Sequence, residues 1–78
     1  MMANGMSSPD KIRFGRKIRD LRLAKGWTQE ELAAHTGLHS TYIGGVERGE
    51  RNLGFDNILK LARALGEHPS VLFADFSE

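Results

Sequence analysis

The stretch TQEELAAHTGLHSTYIGGVER, residues Thr28–Arg48, decides the fold of this 78-residue chain. It opens with the capping-box pattern: the Thr28 hydroxyl accepts from the third N–H of a helix, and the Glu31 side chain reaches back to the cap. Gly37 allows the left-handed conformation that ends such a helix. A second short helix follows over about residues 40–48. The spacing therefore predicts two short helices joined by a tight turn.

Small residues allow these two helices to cross closely. Helices joined by so short a turn meet at a steep angle, which requires small side chains where they touch. Ala33 and Gly37 meet this requirement, and Ile43 directs the second helix back onto the first. The pattern predicts a helix-turn-helix over about residues 29–48.

Three more helices complete the predicted domain. Their expected ranges are about residues 9–25, 55–65 and 69–74, the first and last of which begin at a proline. No strand pattern occurs, and a chain of this length builds only one core. The sequence predicts an all-α, compact five-helix bundle. Residues 1–7 are expected to form a disordered tail, and residues 8–78 a single domain.

Basic charge is concentrated near the start of the chain. The net charge is only +1, yet seven of the eleven Lys and Arg residues fall within residues 11–25. Such a cluster creates a positive field, so nucleic acid is the first partner to consider, although a solvated helix face explains the cluster equally well. No apolar run is long enough to span a bilayer, so no membrane partner is expected and a cytoplasmic location is predicted.

The second helix of the pair presents polar residues on its outer face. If Ile43 and Val46 point inward, the residues that point outward are Ser40, Thr41, Gly44 and Arg48. Hydroxyls donate or accept hydrogen bonds at base edges, and a threonine methyl can contact a thymine methyl. The predicted base contacts are Ser40, Thr41, His39 and Arg48.

Gly44 and Gly45 are unusual inside a helix, because each costs about 1 kcal/mol relative to alanine. Their presence indicates a close approach. Either the helix sits deep in a DNA groove, or it packs tightly against the first helix of the pair.

Several segments together resemble the Cro/repressor-type (xenobiotic-response-element) helix-turn-helix family. They are Ile18–Arg22, Trp27–Ala33, Gly37, Tyr42–Ile43, Val46–Gly49 and Leu59–Gly66. The resemblance implies a lambda-repressor-like domain that binds double-stranded DNA as a homodimer and regulates transcription. Within the family, the chain is most similar to small controller proteins of restriction-modification systems, which implies action at its own promoter.

Other residues are candidates for contact with the DNA backbone. Gln29 places an amide beside the positive end of a helix dipole, an arrangement suited to a phosphate, and the family uses this position in that way. A capping role alone is the alternative for Gln29, and packing of its ring is the alternative for Tyr42. The predicted backbone contacts are Gln29, Thr28, Tyr42, Arg16, Lys17, Arg51 and Asn52.

Two structural roles are also predicted. The resemblance implies that Arg22 forms an ion pair with Glu47 and locks the second helix of the motif to the first helix of the domain. The chain also has more large apolar residues near its end than the core needs. The predicted dimer interface is Phe55, Leu72, Phe73 and Phe76, with core filling as the alternative.

An enzyme is not expected, and neither a cofactor nor a metal site is predicted. His35 and His39 have ligand spacing, but Gly37 breaks the helix between them. The alternative to DNA binding is an antitoxin or another protein-interaction module. A toxin and RNA polymerase are therefore further candidate partners.

Overall fold

The computed structural model describes residues 8–76, and these residues form five helices and no strand. The helices are α1 (Pro9–Ala24), α2 (Gln29–Thr36), α3 (Ser40–Glu47), α4 (Phe55–Leu65) and α5 (Pro69–Leu72). The prediction of an all-α, five-helix domain is confirmed. The predicted tail at residues 1–7 lies outside the described residues. None of the described helices has the length and apolar character needed to cross a membrane.

The starts of α1 and α2 follow from the caps that the sequence predicts. The Ser8 hydroxyl accepts from Lys11 N at 3.2 Å. Thr28 Oγ1 accepts from Glu31 N at 3.1 Å, and Thr28 N donates to Glu31 Oε1 at 2.7 Å, which completes the capping box. These bonds satisfy N–H groups that have no partner within a helix.

The last helix ends earlier than predicted. It stops at Leu72 rather than at residue 74, because Phe73 leaves helical geometry with φ −110°. The chain continues in tight turns, in which Ala74 N donates to Val71 O at 3.2 Å and Phe76 N donates to Phe73 O at 3.1 Å. A proline can start a helix, but the sequence contains no clear signal that ends this one.

One apolar core joins all five helices. Its fully buried large side chains are Ile18, Leu32, Ile43, Val46, Leu61, Leu65 and Leu72. Burying each contributes roughly 1.5–3 kcal/mol. Leu72 is 0% exposed, so its predicted place in a dimer interface is wrong. The side chain fills the core of its own subunit and has no surface left for a partner.

Gly15 and Gly49 allow α1 to approach the end of α3 closely. A Cβ on Gly15 would lie 2.6 Å from the Glu47 carbonyl oxygen and would also collide with that of Val46. Gly49 has φ +78°, and a Cβ there would lie 2.7 Å from Ile12 Cα. Side chains at these two positions would push α1 away from α3, which explains the glycines.

The turn between α2 and α3 depends on Gly37 for one of the two reasons predicted, the left-handed conformation that ends α2. Its φ is +75°, which favours glycine, but a Cβ added there would meet nothing within 4 Å. Gly37 therefore supplies backbone conformation rather than space at the crossing. Ala33 is buried at the crossing, as the spacing predicts.

Candidate nucleic-acid interface

The front edge of α3, which we define as His39, Ser40 and Thr41, is open to solvent. His39 caps the helix through its backbone and makes no side-chain capping bond. His39 and Thr41 are exposed, and Ser40 is half-buried. The structure thus brings these three predicted base contacts together on one accessible edge.

Glu30 stands beside this edge and was missed by the sequence reasoning. It lines a shallow groove between α2 and α3 together with His39 and Ser40. The groove places one carboxylate next to the candidate base contacts. Only the crossing of the two helices brings Glu30 there, because it is far from Ser40 along the chain.

Gly44 is buried on α3, although the outward face was predicted to include it. A Cβ at Gly44 would lie 3.1 Å from Arg48 Nη1 and 3.4 Å from Gln29 Oε1. The side chains of Gln29 and Arg48 therefore extend over the helix backbone at this point. Arg48 also pairs with Glu50 at 3.1 Å. Of the two explanations for Gly44, the contact with Gln29 favours packing against α2.

Arg22 and Glu47 form a buried bidentate ion pair between α1 and α3. Arg22 Nε donates to Glu47 Oε2 at 2.6 Å, and Arg22 Nη2 donates to Glu47 Oε1 at 2.9 Å. A third bond runs from Arg22 Nη1 to the Trp27 carbonyl at 2.7 Å. The hydrogen bonds to Glu47 raise the pKa of Arg22, whereas burial acts to lower it. The pair is placed to fix the end of α3 against α1.

Gln29 connects this buried pair to the protein surface by a hydrogen bond. Its Nε2 donates to Glu47 Oε1 at 3.1 Å, and the residue is half-buried at the first position of α2. Thr28, just before it, accepts within the capping box. Both predicted backbone contacts therefore lie at the N-terminus of α2, where the dipole favours an anion.

The side chain of Tyr42, which belongs to α3, contacts the loop after α3 and the start of α4. Its hydroxyl accepts from Asn57 Nδ2 at 3.1 Å, and the Arg51 guanidinium lies 5.5 Å from the centre of its ring. Arg51 also covers Gly45, where a Cβ would be 3.0 Å from Arg51 Cγ. Asn52 is exposed in the same loop. Asn57 was not anticipated from the sequence, because nothing in its local pattern indicates a partner on α3.

The two predicted contacts on α1 differ in their surroundings. Arg16 is exposed. The Lys17 side chain is only 21% exposed, and its Nζ lies 3.3 Å from Asp75 Oδ2. Because this ion pair directs Lys17 to the C-terminal end of the domain, we do not retain it as a phosphate contact.

An apolar cleft of about 210 Å³ lies near the end of the domain, lined by Phe14, Leu53, Ile58, Phe73 and Phe76 together with Asp10, Lys11, Arg51 and Asn52. Phe73 is 42% exposed, and Phe76 is half-buried. Phe55, close to Leu53 in the chain, is 74% exposed. Three of the four residues predicted for the dimer interface thus keep accessible apolar surface.

The histidines that suggested a metal site have other roles. The His35 ring stacks on Trp27 at 4.1 Å between ring centres, whereas His39 stands beyond the turn at the start of α3. Within residues 8–76, no three His, Cys, Asp or Glu side chains are grouped so that they could hold a metal ion.

Comparison with known proteins places these features in a family. The profile of a family described as helix-turn-helix matches residues 18–72. The chain is 45% identical over 73 residues to control protein C.BamHI of Bacillus amyloliquefaciens, covering 92% of this chain and 89% of that protein.

Solved structures agree with this assignment. The restriction-modification controller protein C.AhdI from Aeromonas hydrophila superposes with a TM-score of 0.83 at 53% identity, covering 85% of this chain and 100% of that one. C.Esp1396I, solved bound to a 25 base pair operator site, matches with a TM-score of 0.77 at 35% identity, covering 87% of this chain and 90% of that one. The chain therefore belongs to the helix-turn-helix family of transcriptional regulators, a non-enzymatic family, and restriction-modification control proteins are among its relatives.

Proposed function

We propose that the protein binds double-stranded DNA as a homodimer, with α3 in the major groove, and so regulates transcription. The observation that carries the proposal is the open front edge of α3. A recognition helix contacts base edges through its N-terminal residues. His39 and Thr41 are exposed there, and Ser40 is half-buried.

Cationic and polar groups around α3 are suited to hold the DNA backbone. Gln29 stands at the positive end of α2, and Arg51 lies beside the other end of α3, so the two could bracket the helix on a duplex. Phosphate contacts of this kind fix register and carry no sequence information themselves. We assign backbone contact to Gln29, Thr28, Tyr42, Arg16, Arg51 and Asn52, and base contact to the front edge together with Arg48.

The apolar cleft and Phe55 supply the proposed dimer interface. Exposed apolar surface of this kind marks an interaction site, and a two-fold dimer uses the same patch on both subunits. Arg51 and Asn52 line the cleft as well, so the dimer face adjoins the proposed backbone contacts. Two recognition helices about 34 Å apart would then read a pseudo-palindrome on one side of the duplex.

The relatives suggest the setting of this activity. C.BamHI and C.AhdI are named as control and restriction-modification controller proteins. We infer that this chain acts at the promoter of its own operon, in the cytoplasm. Contacts with RNA polymerase, or with a toxin, would be additional to DNA binding.

Selection of bound duplexes from random DNA, followed by a gel shift, tests the proposal. We expect discrete complexes on pseudo-palindromic sequences, and affinity that falls steeply as salt rises, because phosphate contacts release counterions. Failure to enrich any sequence, together with salt-insensitive or absent binding, would contradict it. Stoichiometric co-purification with a toxin in that case would favour the protein-interaction alternative.

A further inference from the structure

The Tyr42 hydroxyl is held by a residue outside the helix-turn-helix. Asn57 lies in the first turn of α4, and its Nδ2 donates to Tyr42 Oη at 3.1 Å. Both residues are half-buried. The bond fixes the hydroxyl oxygen in place relative to α4 as well as α3.

The direction of this bond leaves the Tyr42 hydroxyl as a donor. A tyrosine hydroxyl has one hydrogen and can also accept, and here its acceptor side is used by Asn57. Among residues 8–76, the Tyr42 hydroxyl accepts from Asn57 and donates to no other group. A phosphate oxygen only accepts, so a hydroxyl directed in this way matches what a DNA backbone requires.

Arg51 supplies the positive charge beside this donor. Its guanidinium lies over the Tyr42 ring, and its side chain crosses the α3 backbone where Gly45 provides the space. A Cβ on Gly45 would lie 3.0 Å from both Cγ and Nε of Arg51. The glycine therefore lets Arg51 lie close to α3 and to Tyr42.

We propose that Asn57 is a positioning residue for DNA binding, which directs the Tyr42 hydroxyl to donate to a backbone phosphate whose charge Arg51 meets. The inference rests on the proposed DNA-binding function. It assigns a role to α4 that the helix-turn-helix alone does not contain. A purely structural role, in which the bond only pins α3 to α4, is the competing interpretation.

A double-mutant cycle tests whether Asn57 acts on DNA binding through Tyr42. Affinity for a selected operator duplex and for a scrambled duplex is measured by fluorescence anisotropy, for the wild type, Tyr42→Phe, Asn57→Ala and the double variant. We expect Tyr42→Phe to weaken binding about tenfold and Asn57→Ala about three- to tenfold, equally on both duplexes. Asn57→Ala should cost nothing further when Tyr42 is already phenylalanine. Independent, multiplicative losses would overturn the proposal.

Asn57→Asp provides a second test, because it keeps the shape of asparagine but can only accept. It should draw the Tyr42 hydrogen inward and weaken binding more than Asn57→Ala does. The added negative charge also repels DNA. The affinity lost through this repulsion should remain when Tyr42→Phe is combined with Asn57→Asp. The proposal requires that another part of the affinity loss caused by Asn57→Asp disappears when Tyr42 is already phenylalanine. Its absence would contradict the proposal, and so would thermal destabilisation by either Asn57 variant with unchanged affinity.

The outcomes distinguish this inference from the proposed function. If the wild type binds neither duplex, DNA binding itself is refuted. If the wild type binds and the cycle shows no coupling between Asn57 and Tyr42, only the positioning role is refuted. Arg51→Ala is the reference for a charged contact, since it should lower the salt dependence by about one counterion, whereas the Asn57→Ala variant should not.

Discussion

Gln29 donates a hydrogen bond to Glu47, the carboxylate that also receives two bonds from the buried Arg22 guanidinium. One acidic side chain thus joins the start of α2, the end of α3 and the last turn of α1. A surface residue proposed to meet phosphate is therefore oriented by a buried ion pair. Side chains fixed by such a second layer of hydrogen bonds hold their geometry more closely than free ones do.

Replacing Gln29 with alanine should weaken binding to all duplexes by the same factor, because a phosphate contact carries no sequence information. Titration of operator and scrambled duplexes at one salt concentration measures this. The unfolding midpoint serves as the control, since Glu47 keeps both bonds from Arg22. A change in base preference would refute the phosphate role.

Glu47→Ala should destabilise the fold by about 3–5 kcal/mol, because it leaves the Arg22 charge buried without a partner. Urea unfolding measures the loss. Asp10→Ala, which breaks the exposed pair with Arg13, is the control and should cost less than about 1 kcal/mol. Equal losses of stability in the two variants would show that the buried Arg22–Glu47 pair matters no more to the fold than an exposed pair does.

The contribution of Arg22 to stability should not vary near neutral pH. Glu47 raises the pKa of Arg22 in the folded protein, so its stabilisation is fully present below the ordinary arginine pKa and is lost only as pH rises through the still higher folded pKa. Removing the pair with Glu47→Ala should therefore cost the same at about pH 6 and about pH 9. Urea unfolding of both proteins at the two pH values checks this. If Glu47→Ala destabilised the fold less at about pH 9 than at about pH 6, the prediction that Arg22 keeps its charge over this range would be contradicted.

Gly15→Ala and Gly44→Ala form a matched pair of substitutions inside helices. The first places a methyl group against the carbonyls of Val46 and Glu47, which are backbone and cannot move cheaply, so we expect a loss of about 1–3 kcal/mol. The second meets only the side-chain ends of Gln29 and Arg48, so stability should change by less than about 1 kcal/mol. Similar unfolding midpoints for the two variants would contradict the close approach of α1 and α3.

Thr41→Ala should weaken binding to the selected operator by about 1–3 kcal/mol and leave non-specific binding unchanged, because Thr41 is proposed to contact base edges. Competition with scrambled DNA measures the ratio of the two affinities. Equal losses on both duplexes would reassign Thr41 to the backbone.

Phe55→Lys should shift the protein from dimer to monomer, because it places a charge on an exposed apolar surface of the proposed interface. Leu23→Lys is the control, since Leu23 is 49% exposed on α1 and does not line the apolar cleft. Sedimentation equilibrium gives the dissociation constants. A wild type that stays monomeric at high micromolar concentration, with and without DNA, would refute the dimer.

The elements of the fold could be predicted because their signals are local. The Thr28 capping box and the left-handed Gly37 act within one or two turns of chain, and the apolar repeat of α4 gives its range, Phe55–Leu65, without error. The helix-turn-helix followed from the same signals. Where a local signal was missing, as after Leu72, the predicted helix ran too far.

Apart from the Arg22–Glu47 pair, which the family resemblance implied, the side-chain partnerships between distant residues were decided by the tertiary structure. The sequence did not reveal that Asn57 holds Tyr42, that Asp75 takes Lys17, or that Leu72 is enclosed in the core. Periodicity states which face of a helix is apolar, but not which helix covers it or how deeply. Capping and turn formation depend on neighbours in sequence, whereas burial and pairing depend on the angles at which five helices pack together.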